Sequence, residues 1–323
     1  MDEISLIRRF WEPLGRAVTN PSVREGIGND GAVIATGPGY DQVITMDTLL
    51  EGVHFPASID AHALGWRALA VNLSDLAAMG ADPVCYTLSL TLPEADEYWL
   101  EGFCNGLRDL SSLHGVQLVG GDTTRGPLSI TIQAQGRVPA GSSVARGRGC
   151  PGDRICVSGS LGDAGEALNW LGRDVRGNRA AQSVLGCYYY PAPRLALGTW
   201  LREQGVAAID ISDGLLTDLE RMLGDDGRCG ARLDYRALPV SAALESLAGD
   251  DAPALAASAG DDYELCFLWS EARGEIPGAA ELDLPVTVVG RIESEPGIRL
   301  MDGDEPVTLA SRGYSHFPGG SDE

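Results

Sequence analysis

Residues 60–92, DAHALGWRALAVNLSDLAAMGADPVCYTLSLTL, carry the pattern from which the fold is read. Asp60 stands where a helix cap is wanted, apolar residues recur at helical spacing through Met79, and Gly80 is placed to end the helix. Beyond Pro83 the run 84–92 changes to the β-branched and apolar character of a strand. Working outward, segments 42–46, 116–119 and 128–138 read as further strands bounded by Gly, Pro or Asp, and 94–113 as a second helix. Together they predict a first α/β domain over residues 1–140. The stretch 138–153, VPAGSSVARGRGCPGD, is dense in Gly, Ser and Pro and reads as a linker or functional loop. Residues 150–323 repeat the mixture, with strands expected at 154–158, 206–211, 263–269 and 286–292. Helices are expected there near 163–171, 192–204, 215–223 and 252–258. The fold class is therefore mixed α/β (α+β) in two domains, as suits 323 residues.

Composition narrows the chemistry. The chain has 24 basic against 46 acidic side chains, a formal charge of −22, and every basic one is arginine. Without lysine there is no P-loop lysine, no protein-kinase strand lysine and no pyridoxal Schiff base. The negative balance argues against a nucleic-acid partner, whose phosphates need a basic footprint. Apolar runs fall short of a membrane span, and no secretory signal is visible at the start, so no membrane partner and a cytoplasmic location are expected. Seven cysteines lack any Cys-x-x-Cys pair and four histidines lack zinc spacing, which favours reduced thiols and a hard, oxygen-held cation.

Aspartates recur where apolar runs end: Asp30 in GIGND, Asp47 in VITMD, Asp75 in VNLSD, Asp122 in VGGD, and Asp210 and Asp213 in IDISD. One such residue is ordinarily a cap or turn former. Six of them, gathered at a shared crevice, would make a multi-carboxylate Mg²⁺ site able to handle a polyphosphate. Gly120-Gly121 before Asp122 allows backbone amides to approach an anion closely, and Arg125 and Arg146 supply guanidinium groups for phosphate oxygens. Asp47, Asp75 and Asp122 each end a segment aimed at that crevice and lie in the most specific strings of the chain, and they are expected to form the metal centre.

In order, GIGNDGAV (26–33), TMDTLLEGVHF (45–55), RALAVNLSDLAAMGADP (67–83), GGDTTRG (120–126), IDISDGLLTDL (209–219) and AGDDYELCF (259–267) closely resemble the thiamine-monophosphate kinase family, within the aminoimidazole-ribonucleotide synthetase superfamily. The resemblance runs from about residue 20 to Phe317. It implies an N-terminal α/β domain with a mixed sheet that forms a homodimer, a C-terminal α/β sandwich-like domain, and ATP between them. The implied reaction is ATP-dependent phosphorylation of thiamine monophosphate to thiamine diphosphate with several Mg²⁺ ions, the last step in making that diphosphate. Carried over residue by residue, Asp30, Thr45, Met46, Asp47, Asp75, Asp122, Asp210 and Asp213 match metal positions, with Asp47, Asp75, Asp122 and Asp213 the catalytic set. Gly121, Asp122, Arg146 and Ser212 match positions at ATP, and His54, Asp261 and Phe317 match positions at thiamine monophosphate.

Three departures stand out: Asn29 where the family has a second Asp, Met46 in place of a hydroxyl residue, and Asp261 in place of the longer Glu. Met46 would therefore serve a metal only through its backbone carbonyl. The competing readings are another ATP-using enzyme of the superfamily, of which the nearest rival, aminoimidazole-ribonucleotide synthetase, lacks the DTLLEGVHF and GGDTTRG wording, and a non-catalytic metal-binding protein.

Overall fold

The computed structural model describes residues 7–25, 33–34, 37–146, 149–224, 229–276 and 283–314. The chain divides into two compact units, 1–143 with 189–204 and 144–188 with 205–323. Asp30 and Phe317 lie outside the described residues.

In the first unit a short helix α1 (Glu12–Ala17) and a two-stranded ribbon, β1 (Val23–Glu25) with β2 (Val33–Ile34), precede the long strand β3 (Tyr40–Leu50). Helix α2 (Ala61–Ala78), strand β4 (Asp82–Leu92), helix α3 (Glu97–His114), β5 (Gln117–Arg125) and β6 (Ser129–Pro139) follow. Asp60 caps α2 by accepting from Ala63 N at 3.1 Å, as its position predicted. Nearly every residue of α2 is buried, including Leu64, Leu69, Leu73 and Leu76, so the helix forms the centre of the unit. Helix α3 has one apolar face, with Leu100, Phe103, Leu107 and Leu110 buried. It ends at Gly115 in the left-handed conformation.

The sheet order is β3-β6-β4-β5, antiparallel except for the β4/β5 pair, which is parallel across the α3 connection. Strand β5 runs six residues beyond the expected end at 119, through Gly120-Gly121 and on to Arg125. Its glycines read as a turn, yet β4 offers partners as far as Leu92. Gly121 lies at φ 150°, and a side chain there would overlap the backbone of Leu88.

The second unit begins with β7 (Arg154–Ser158), α4 (Asp163–Ala167) and α5 (Arg179–Tyr189). Helix α6 (Leu195–Gln204), expected in the second half, belongs to the first unit. Gly198 is the reason: α6 crosses α2 there with no room for a side chain beside the carbonyl of Ala77. Arg202 then donates to the carbonyl oxygen of Gly80 at 2.6 Å.

Strand β8 (Ala208–Asp210), helix α7 (Leu215–Leu223), β9 (Gly230–Asp234), helices α8 (Ala242–Ala248) and α9 (Ala252–Ser258), and strands β10 (Leu265–Trp269), β11 (Val286–Glu293), β12 (Gly297–Asp302) and β13 (Glu305–Pro306) complete the second unit. Its sheet order is β13-β12-β9-β11-β7-β10-β8, and the β12/β9 pair alone is parallel among these strands. Alternate residues of the strands, such as Ile155, Val157, Cys266 and Leu268, pack against Leu215, Leu219, Met222 and Ala256 of the helices. Helices α5 and α8 and strands β9, β12 and β13 escaped the sequence reading. In β9, Ala231 and Leu233 alternate with Arg232 and Asp234 over five residues, too short a period to separate from a loop.

Candidate active site

In the first unit the seam between α2 and β3 gathers the functional side chains. Thr45 and Asp47, two apart on β3, point to the helix-covered face, while Asn72 and Asp75 lie one turn apart on α2. Thr45 Oγ1 donates to Asp75 Oδ2. The backbone N–H of Asp47 donates to Asn72 Oδ1 at 3.1 Å, and Asn72 Nδ2 donates back to Ala68 O at 3.1 Å. Asn72 is fully buried, so its amide is committed to holding the Asp47 backbone. The sequence reading missed it. Its signal was an amide side chain between Val71 and Leu73 on a mostly apolar helix, three residues before Asp75.

His54 follows in a closed turn, where its backbone N–H donates to Leu50 O at 2.9 Å and its ring Nδ1 accepts from Leu50 N at 3.0 Å. That bond puts the proton of a neutral imidazole on Nε2. Met46 is 62% exposed, and its side chain lies on the sheet face opposite Thr45 and Asp47, with Ile44 and Leu50. Its side chain therefore has no place with theirs.

The expectation of one crevice shared by Asp47, Asp75 and Asp122 needs correction within a single chain. Asp47 pairs through Ile132 and Leu88 with Gly121, whereas Asp122 pairs through Ser89 and Thr131 with Thr48. Because neighbours in register share a face, Asp122 lies on the face opposite Asp47 and at the opposite edge, about 14 Å across three strand spacings. A one-residue offset in the pleat decides this, and sequence spacing does not reveal it.

In the second unit two turns carry the remaining candidates. Asp210 ends β8 and is buried, paired in register with Leu265. Beyond it, Asp218 Oδ2 accepts from three successive backbone N–H groups, Ser212 at 3.0 Å, Asp213 at 2.9 Å and Gly214 at 3.1 Å. Arg221 Nη1 bonds Asp218 Oδ1 at 2.8 Å and Asp213 Oδ2 at 2.5 Å. Burial nevertheless holds the Asp218 carboxyl above the ordinary carboxylate range, the donors opposing it in part. Asp218 thus shapes the turn that presents Ser212 and Asp213, a role its place in the helix expected near 215–223 does not signal.

The facing turn, 259–264, is tied to the first. Asp261 N donates to Ser212 O and Tyr263 N to Ile211 O, both at 2.8 Å, and Ile211 N donates to Glu264 O at 2.8 Å. Asp262 accepts from Gly162 N through both oxygens, at 2.9 and 3.0 Å. Burial pushes the Asp262 carboxyl well up, and the negative neighbours Glu264, Asp163 and Asp261 add to this. Arg146 is exposed in the loop after β6.

Among the described residues no group of three or more His, Cys, Asp or Glu side chains is arranged to hold a metal ion. The donors that do approach one another, Thr45 with Asp75, are hard oxygens. These fit Mg²⁺, which is commonly held by one or two carboxylates with water and substrate phosphates completing its shell.

Comparison with known proteins adds a separate line of support. The sequence profile described as AIR synthase related protein, N-terminal domain, matches residues 28–138. Thiamine-monophosphate kinase of Salmonella typhimurium (strain LT2) is 43% identical over 322 residues, covering 98% of each chain. The crystal structure of thiamine-monophosphate kinase from Stenotrophomonas maltophilia K279a is 41% identical, covers 95% of this chain and 98% of its own, and superposes with a TM-score of 0.84. A ThiL complexed with AMPPCP and TMP is 28% identical, with a TM-score of 0.76 over 90% of this chain and 92% of its own.

Proposed function

Because the chain belongs to the thiamine-monophosphate kinase family, we propose that it transfers the γ-phosphoryl group of ATP to thiamine monophosphate, giving thiamine diphosphate and ADP. An oxygen of the acceptor's phosphate attacks the γ-phosphorus, and the bond from that phosphorus to the β–γ bridging oxygen breaks, leaving with ADP. The acceptor is already an anion at neutral pH, so no strong general base is required, and catalysis becomes positioning and charge neutralisation.

The oxygen donors Asp30, Thr45, Asp47, Asp75, Asp122, Asp210 and Asp213, with the Met46 carbonyl, would hold magnesium, which when bound neutralises the phosphates. Gly121, Asp122, Arg146 and Ser212 take the nucleotide side. His54, Asp261 and Phe317 take the thiamine side, where a cationic, aromatic acceptor asks for a polar acceptor and a flat apolar surface.

A homodimer through the first unit belongs to the same reading. The uncovered face of its sheet exposes Ile44 at 55% and Met46 at 62%, beside Thr48, which bonds Thr131 at 2.8 Å. A second copy seated there would bury an apolar patch next to Asp122, which no acid of its own chain's α2–β3 seam can reach. Cys85, Cys104, Cys150, Cys156 and Cys266 are free, and burial pushes Cys104 and Cys156 up to about 12, in keeping with thiols that stay reduced in the cytoplasm.

The observation that carries the reading is the α2–β3 clamp, which orders Thr45, Asp47 and Asp75 in a chain alike to these kinases from end to end. A coupled assay of ADP release, with candidate acceptors offered one at a time, tests it. Release should depend strictly on thiamine monophosphate and Mg²⁺; comparable turnover with free thiamine, or release without any acceptor, would reject it.

A further inference from the structure

Among the described residues only Asp261, Tyr263 and Asp283 combine a side chain with positive φ, and two of these share one turn, at φ 69° and 50°. An aromatic residue at positive φ is an outlier that persists only when its surroundings over-determine it. The surroundings here do so. The N–H groups of Asp261 and Tyr263 are both taken by carbonyls of the 211–212 turn, the intervening Asp262 is anchored on Gly162, and Glu264 accepts from Ser158 Oγ.

What this backbone achieves is visible in the side chains. In an extended strand the hydroxyl of a tyrosine would project well past the short carboxylate of an aspartate two residues away. Here Tyr263 is buried at 7% exposure, and its hydroxyl donates to Asp261 Oδ1 at 3.0 Å. Packing alone would be served equally by phenylalanine. The hydroxyl serves Asp261, whose carboxylate it holds in one orientation.

We propose that Tyr263 is a positioning residue for the acceptor side of the site, its hydroxyl fixing the Asp261 carboxylate that meets thiamine monophosphate. The inference rests on the assignment of Asp261 to the acceptor under the proposed function. It adds that the turn bearing Asp261 is bonded directly to the one bearing Ser212 and Asp213, so acceptor and nucleotide groups of this unit are set by one hydrogen-bonded turn pair.

The test is steady-state kinetics on the full-length protein with Tyr263→Phe, Asp261→Ala and the double variant, varying thiamine monophosphate and ATP separately. Tyr263→Phe should raise the KM for thiamine monophosphate about threefold to tenfold, the worth of one hydrogen bond, and leave the KM for ATP within about twofold. The double variant should be no worse than Asp261→Ala alone, since the hydroxyl acts only through that carboxylate. If Asp261→Ala raises the acceptor KM but Tyr263→Phe does not, the positioning role is wrong and the acceptor assignment stands. If Asp261→Ala leaves the acceptor KM unchanged, the assignment fails and the inference falls with it. Equal rises in both KM values for Tyr263→Phe would mark a general structural role and also overturn it. Should Tyr263→Phe lower the Tm, the two KM values are measured well below that Tm, with folding checked by circular dichroism: a raised KM for thiamine monophosphate beside an unchanged KM for ATP supports the role, and an unchanged acceptor KM overturns it.

Discussion

The two units hold their functional side chains by different means. In the first, Thr45, Asp47, Asn72 and Asp75 sit on a long helix and a long strand, and two cross-bonds lock one to the other. In the second, Ser212, Asp213 and Asp261 sit on two short turns whose backbones bond each other and lean on buried Asp218 and half-buried Asp262. Regular elements place a side chain through pleat and helical period, at little local cost. Turns can aim side chains in directions those periods forbid, but buried acids and positive φ are then needed to hold them.

The comparison breaks most readily at Asp75. Replacing it with Asn removes a charge from the seam while keeping its shape, so turnover should fall on the order of a hundredfold with the Tm nearly unchanged. Near-normal activity at limiting Mg²⁺ would show that the seam is structural only.

Asn72→Leu is the next largest. It removes the buried acceptor that Asn72 offers the Asp47 N–H, so stability should drop by about 1–3 kcal/mol in denaturant unfolding. Turnover should fall about tenfold to a hundredfold, as for partners that orient metal-binding groups. A loss of stability with turnover intact would separate the clamp from the chemistry.

For the turn pair, Asp262→Asn tests whether an acid held against its charge is a cost the fold bears. The folded pKa of Asp262 is raised, so the native state binds this proton more tightly than the unfolded chain does. Its contribution is present at acid pH and is lost as pH rises from the ordinary carboxylate range through the raised value. Asn keeps an acceptor for Gly162 N–H and does not titrate. The Tm of the variant relative to the parent should therefore improve as pH rises toward neutrality; a relative gain confined to acid pH would contradict the argument.

The smallest effect sharpens the contrast in rigidity. Exposed Cys150 and Cys187 should react with a thiol reagent at once, while buried Cys85, raised to about 11, and Cys104 and Cys156, each raised to about 12, should wait for opening of their units. If the turn-built unit opens more readily, Cys156 and Cys266 label before Cys85 and Cys104 as denaturant is added. Simultaneous labelling would mean that the two units open together.

What was legible in the sequence follows the same division. The Asp60 cap, the apolar period of α2 and the strand after it are local signals, and all three appear where their residues predicted. So is the presence of hard oxygen donors at the ends of apolar runs, because residue type and position along the chain decide it. The mixed two-unit architecture is equally local in origin, since alternating short strands and helices admit few other arrangements.

Only the tertiary structure decided the rest. That Asp122 faces away from Asp47 depends on the register across four strands; that α6 packs on α2 depends on Gly198 finding the Ala77 carbonyl. Asn72, Asp218, Asp262 and Tyr263 became functional candidates only through partners distant in sequence or through a backbone bent to positive φ. A sequence carries period and chemistry residue by residue. Which groups then share a face, a hydrogen bond or a buried charge is settled by pairings between distant segments, and those exist only once the chain has folded.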